Sequence, residues 1–146
     1  MNLERAIQIA VEAHTGQRDK AGQPYVLHSL RVMFDLRSDE ERIVGVLHDV
    51  VEDCEGWSFD RLKSAGYSPT VLDALDSVTK RAGEDYMPFV IRAGANPIGR
   101  YVKMADLRDN MDLSRIAAPS ERDQTRIAQY REALAYLTID RRAPYG

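Results

Sequence analysis

Cysteine is almost absent from this sequence: Cys54 stands alone among 146 residues. One cysteine excludes an intramolecular disulfide framework and suits a reducing compartment. Long apolar runs are missing too. No stretch approaches the roughly 20 residues that a membrane-spanning helix needs. The opening Met1-Asn2-Leu3-Glu4-Arg5 leads into an amphipathic pattern rather than the apolar core of a signal peptide. Basic residues hold no excess. The formal charge is −3 and the isoelectric point is near 5.6, whereas a general nucleic-acid binder carries a basic face. These absences point to a cytoplasmic protein with no membrane and no nucleic acid as partner. Histidine is scarce as well, with three residues (His14, His28 and His48), all in the first third of the chain.

What is present suits one globular domain over residues 1–146. A hydrophobic content of 44% in 146 residues is enough to bury a single core, which we place at about residues 3–138, with a short C-terminal tail at Arg141-Arg142-Ala143-Pro144. Leu3, Ala6, Ile7, Ala10, Val11 and His14 recur at helical spacing, so residues 3–14 predict an amphipathic helix ended near Gly16. Residues 16–24 are turn-rich. Tyr25 to Leu36 predicts a second helix. Ser38-Asp39-Glu40-Glu41 is a capping signal, and the helix it opens runs to about Asp53. Apolar on most sides, this helix is expected at the centre, although its β-branched residues leave a strand as the competing reading. Further helices are expected after Ser58, from Ser68-Pro69 to Arg81, from Glu84 to Ala93, from Asn96-Pro97 to about Leu113, and from Pro119-Ser120-Glu121 onward. The expected class is all-α, with seven or eight helices in one compact domain.

Chemistry concentrates in Val46-Leu47-His48-Asp49-Val50-Val51-Glu52-Asp53. On a helix, His48 and Glu52 share a face, as do Asp49 and Asp53. Three carboxylates and an imidazole on a segment apolar enough to be buried are costly unless a cation offsets them. Manganese, iron and zinc accept such mixed nitrogen and oxygen donors. A usable site wants another imidazole and another carboxylate from elsewhere. His28 on the preceding helix is one candidate, and Asp106 in Val102-Lys103-Met104-Ala105-Asp106 is another. Each has an ordinary alternative. A lone histidine on an apolar face is commonly a hydrogen-bonded core residue, and Asp106 at helical spacing from Lys103 reads equally as a surface ion pair.

Four motifs stand in one order along the chain: His14-Thr15-Gly16-Gln17, Gly22-Gln23-Pro24-Tyr25-Val26-Leu27-His28, Leu47-His48-Asp49-Val50-Val51-Glu52-Asp53, and Val102-Lys103-Met104-Ala105-Asp106 with Asn110. Across about residues 10–130 the sequence resembles the HD-domain metal-dependent phosphohydrolases. Within them it is most similar to the hydrolase domain of RelA/SpoT-type enzymes and to small stand-alone alarmone hydrolases of the Mesh type. The resemblance implies that His28, His48, Asp49 and Asp106 bind one metal, usually manganese. It implies that Glu52 and Asp53 act at the catalytic water and that Asn110 lies near the scissile phosphates. Arg126 and Tyr130 match nucleotide-contacting positions, and Lys20 and Lys103 are candidate substrate contacts. His14 is read as structural, ordering the loop after the first helix.

Two departures accompany the match. The family usually carries an arginine, packed on the guanine base, just before the lysine matched by Lys20, and this sequence has Asp19 there, with Arg18 one position earlier. Leu107-Arg108-Asp109 replaces the close family's Lys-Leu-Tyr, changing the charge beside the phosphates. The expected function is a manganese-dependent phosphohydrolase that removes the 3′-pyrophosphate from the alarmone ppGpp. The alternatives are an HD phosphohydrolase acting on another nucleotide or phosphorylated cofactor, and a non-catalytic nucleotide-sensing HD domain. The expected partner is a small nucleotide substrate, and a homo-oligomer is left open.

Overall fold

A computed structural model describes residues 2–139; the expected tail at Arg141–Pro144 lies outside the described residues. The described residues form nine α-helical segments: α1 (Leu3–Ala13), α2 (Val26–Phe34), α3 (Asp39–Leu47), α4 (Val50–Asp53), α5 (Phe59–Ser64), α6 (Pro69–Ser77), α7 (Tyr86–Ala95), α8 (Gly99–Asn110) and α9 (Glu121–Ile139). A single 3-10 turn, Leu113–Arg115, lies between α8 and α9. Among these residues there is no strand, only one isolated bridge between Arg18 and Pro24. The all-α expectation stands, and the count is eight if α3 and α4 are taken as one interrupted helix.

The competing strand reading of 43–51 gives way to helix because the start signal is fully used. Ser38 Oγ accepts from the Glu41 N–H at 3.1 Å, and Glu41 Oε1 accepts from the Ser38 N–H at 2.8 Å, closing a reciprocal capping box. From there α3 is buried almost all round, through Ile43, Val44, Val46 and Leu47. It packs against α1, α2, α6 and α8. Each such side chain, fully buried, contributes about 1.5–3 kcal/mol. Gly45 sets how close α2 can come. A Cβ there would stand 2.5 Å from Leu36 Cδ1 and 3.6 Å from the Met33 Cα, so a larger residue would push α2, and with it His28, away from α3.

Two other helices end earlier than the hydrophobic spacing suggests. α6 stops at Ser77 rather than Arg81 because its terminal carbonyls find side-chain donors. Arg92 gives Nη1 to the Asp76 carbonyl at 2.7 Å and Nη2 to the Thr79 carbonyl at 2.8 Å. α8 stops at Asn110, and Leu113 falls in the 3-10 turn. A smaller core of Val90, Leu107, Ala133 and Leu137 joins α7, α8 and α9. α8 thus faces the central helix on one side and α9 on the other, and it carries Asp106 into the middle of the molecule.

Candidate metal centre and adjoining cavity

The predicted helix over 39–53 breaks where the chemistry sits. His48 follows the last residue of α3 and Asp49 precedes the first of α4. The His48 Nδ1–H donates to the Gly45 carbonyl at 2.6 Å. That carbonyl is the acceptor a continuous helix would offer to the Asp49 N–H. The side chain therefore competes with the ladder, and the chain turns slightly as it passes the site. Because a carbonyl only accepts, this bond fixes a proton on Nδ1, and Nε2 faces inward to Asp49 and Asp106.

Four of the predicted side chains converge there from three directions. His28 (α2), His48 and Asp49 (the α3–α4 junction) and Asp106 (α8) meet so that each imidazole faces both carboxylates. His28 Nε2 lies 3.0 Å and His48 Nε2 3.2 Å from Asp106 Oδ1. From Asp49 Oδ2 the same nitrogens lie 3.7 and 3.1 Å. Ligands held about 2.0–2.2 Å from one cation stand roughly 3–3.6 Å apart, so the donor spacing fits a metal. The donor set, two imidazole nitrogens and two carboxylates, suits a borderline divalent cation. Each imidazole also has its second nitrogen engaged, His48 by the Gly45 carbonyl and His28 by Asp109 Oδ2 at 2.6 Å. Metal-binding histidines ordinarily show that second partner.

Electrostatics agree with a place for positive charge. Burial opposes charge on His28, but its hydrogen bonds to the Asp106 and Asp109 carboxylates outweigh it and push the imidazole up to about 8. Burial likewise opposes charge on His48, and Asp49 and Asp106 more than reverse this, raising it well above its ordinary value. Burial would raise Asp49, yet His48 pulls it down to about 2. Asp106 is held well below the carboxylate range against its burial, chiefly by the Lys103 ammonium and then by His48 and His28. In the protein alone, protons on the imidazoles balance the buried acids; a cation would take over that balance.

Glu52 and Asp53 sit one turn on and more exposed, with ligand atoms grouped with those of Asp49 within 4.8 Å. Partial burial and mutual repulsion raise both: Glu52 through burial and then Asp53, Asp53 through burial and then Asp49. Carboxyls poised above their usual range are suited to accept and return a proton. Lys103 is buried, donating to Asp106 Oδ2 at 3.0 Å with its ammonium 4.7 Å from the centre of the Phe89 ring. Asp106 is thus ion-paired with Lys103, but buried rather than on the surface, and its other oxygen, Oδ1, faces the two imidazoles. Asn110 Nδ2 donates to Asp106 Oδ1 at 3.1 Å.

A cavity of about 290 Å³ opens beside His28. Of the predicted substrate contacts, Lys20, Asn110, Arg126 and Tyr130 line it, together with Arg18, Arg31 and Arg115, and Lys103 does not. Lys20 is tied across to Asp123 at the start of α9, at 2.6 Å. Asp19 also borders the cavity, but its Oδ1 accepts from the backbone N–H groups of Ala21 and Gln23, both at 2.9 Å. Its carboxylate is spent on its own turn. Arg18 Nη1 donates to the Gly22 carbonyl at 3.2 Å.

Sequence reasoning passed over four supporting side chains. The Tyr25 hydroxyl donates to Asp49 Oδ2 at 2.5 Å. Asp109 holds His28 and is gripped in turn by Arg31, whose Nε lies 2.7 Å from Oδ1. Gln17 accepts from His14 Nδ1 at 2.8 Å and donates to the Asp53 carbonyl at 3.1 Å, which is how His14 orders its loop. Spacing offered a faint signal: Tyr25, His28 and Arg31 run at intervals of three, and Asp106 and Asp109 do the same, placing each set on one helical face.

Comparison with known proteins gives the same direction. The chain is similar to a GTP pyrophosphokinase of Streptomyces coelicolor, 33% identical over 126 residues, covering 77% of this chain and 15% of that protein. It is similar to the guanosine-3′,5′-bis(diphosphate) 3′-pyrophosphohydrolase of Aquifex aeolicus, 28% identical over 121 residues, covering 75% of this chain and 17% of that protein. The chain spans about one-sixth of the length of these curated relatives. No family model matches it. Among solved structures, a metazoan orthologue of SpoT, itself described as hydrolysing ppGpp, aligns with a TM-score of 0.78 at 20% identity, over 94% of this chain and 85% of that one. That likeness establishes the shared all-helical fold.

Proposed function

Because the chain is RelA/SpoT hydrolase-domain-like and of the HD type, we propose that it is a metal-dependent phosphohydrolase whose substrate is ppGpp, all within one domain. Hydrolysis would break the bond between the ribose 3′-oxygen and its phosphorus, releasing pyrophosphate and GDP. The observation that carries the reading is that the Nε2 atoms of His28 and His48 each lie 3.0–3.7 Å from carboxylate oxygens of both Asp49 and Asp106, beside a cavity walled by cationic side chains.

His28, His48, Asp49 and Asp106 would hold the cation, which we take to be manganese. Bound there, it supplies Lewis-acid polarisation of a phosphate oxygen and lowers the pKa of a water. The remaining work falls to the chain. Glu52 accepts the water's proton, with Asp53 orienting the same water. Asn110 directs its amide toward the scissile phosphate. Lys20 and Arg126 neutralise the outer phosphates, and Tyr130 offers a flat apolar surface to the nucleoside. Lys103 acts through Asp106 by holding one of its oxygens. A cytoplasmic setting belongs to this reading, and no described helix is long and apolar enough to cross a membrane.

Manganese titration with ppGpp, following pyrophosphate release, tests it. Turnover that saturates with metal and is lost in Asp49→Ala is expected. No turnover in the wild type, or undiminished turnover in the variant, would sink it. Asp19 favours a second reading, the same chemistry on another phosphoester, because the side chain at the base-facing position is bound to its own turn. Preference for a non-guanine substrate in a panel would select that reading. Tight ppGpp binding without turnover would assign a sensor.

A further inference from the structure

We propose that Asp109 is a positioning residue of the metal site: its carboxylate takes the Nδ1 proton of His28 and so leaves the Nε2 lone pair for the cation. This rests on the metal-site reading above. The resemblance assigns Asp109 no role, and the inference comes from the geometry alone.

A neutral imidazole has one proton and two nitrogens. His28 lies between two carboxylates presented by one face of α8. Its Nδ1 is 2.6 Å from Asp109 Oδ2, and its Nε2 is 3.0 Å from Asp106 Oδ1. The proton can sit on either nitrogen, with opposite consequences. On Nε2 it would point into the donor cluster and occupy the lone pair a metal needs. On Nδ1 it leaves that lone pair free. The shorter contact, to Asp109, selects the second arrangement. His48 needs no such acid, because the backbone carbonyl of Gly45 performs this task for it at 2.6 Å. The tautomer of one ligand is therefore written into its helix, while that of the other hangs on a single side chain.

Asp109 is itself immobilised for the purpose. Arg31 grips it with two donors, Nε to Oδ1 at 2.7 Å and Nη2 to Oδ2 at 3.2 Å. Arg115 Nη2 reaches the Asp109 carbonyl at 3.2 Å. Arg31 follows His28 by three residues on α2, and Asp109 follows Asp106 by three on α8. The two helices thus meet through a pair of stacked contacts, one ligand above one support.

The test is the tautomer of His28, read from 15N spectra of metal-free protein at a pH where those same shifts show the ring to be neutral. Wild type should show the Nδ1–H form, and Asp109→Leu should shift to the Nε2–H form. Arg31→Gln should keep the wild-type tautomer, because Asp109 remains, and so separates positioning from loss of the ion pair. Calorimetric Mn2+ affinity should fall roughly 10–100-fold in Asp109→Leu. Should Asp109→Leu fail to fold with Arg31 left unpaired, the double variant Asp109→Leu/Arg31→Met removes both charges and is read the same way. An unchanged tautomer or unchanged Mn2+ affinity overturns the proposal alone. A wild type that binds no Mn2+ overturns the metal reading and the proposal together, so the two failures are distinguishable.

Discussion

The metal-donor cluster and the cavity wall beside it are built on different principles. The cluster comes from helices packed in the centre of the molecule. His28, His48 and Asp106 are nearly inaccessible, and each is tied to at least two other groups. Much of the wall comes from the loop over residues 16–24, the 3-10 turn and the exposed start of α9, where surface pairs such as Lys20 with Asp123 hold the charges, while α2 and α8 add Arg31 and Asn110. A cluster that must hold a cation at fixed distances gains from rigidity, because misplaced donors lose the ion. If, as proposed, the wall admits and releases a polyanion, it gains from bonds that exchange easily for phosphate. On the proposed function, the chemistry would sit where structure is expensive to change and the recognition where it is cheap.

That division can be broken experimentally. The largest effect belongs to Asp106→Asn, which weakens the donor yet leaves Lys103 an amide oxygen to bond. Turnover should fall by about three orders of magnitude or more, and metal analysis should find substoichiometric manganese. Glu52→Gln comes next. It should lower kcat by roughly 10²–10⁴-fold with the metal retained, since Glu52 lies outside the four-donor set. Arg126→Ala, on the wall, should raise KM by about tenfold and leave kcat and bound metal nearly unchanged, the mark of lost uniform binding. Metal loss in Arg126→Ala would erase the distinction between the two regions.

The smallest effect concerns the strap across the wall. Asp123 is held at about 2, first by Lys20 and then by the Ser120 backbone N–H. Its depressed value means that the stability it contributes is fully present above about 3.8 and is lost as pH falls toward 2. Denaturant melts of wild type and Asp123→Asn should therefore differ slightly at pH 5 and converge by pH 2. A gap that stays constant would show that the ion pair carries none of it.

Helix positions were largely legible in the sequence. Ser38 with Glu41, Ser68 with Pro69, and the apolar rhythm of α1 act within one or two turns, and each produced the expected start. Helix ends were less legible. α6 ends where Arg92, sixteen residues beyond Asp76, supplies donors to its carbonyls. The break at His48 depends on a side chain taking a backbone acceptor, and periodicity carries no sign of it.

By itself the sequence determined the class of the fold, the central place of the α3 segment and the short roster of groups able to carry chemistry, because propensity, capping and hydrophobic spacing are local properties of the chain. Tertiary structure alone decided how those groups meet. His28 reaches Asp106 across 78 positions and Asp109 across 81, and both meetings depend on how closely α2 and α8 pack on α3. That packing made Asp109, which in the sequence looked like a change of charge near the phosphates, the hydrogen-bond partner of His28. Hydrogen bonds are decided over about 3 Å, and only the assembled helices fix positions at that scale.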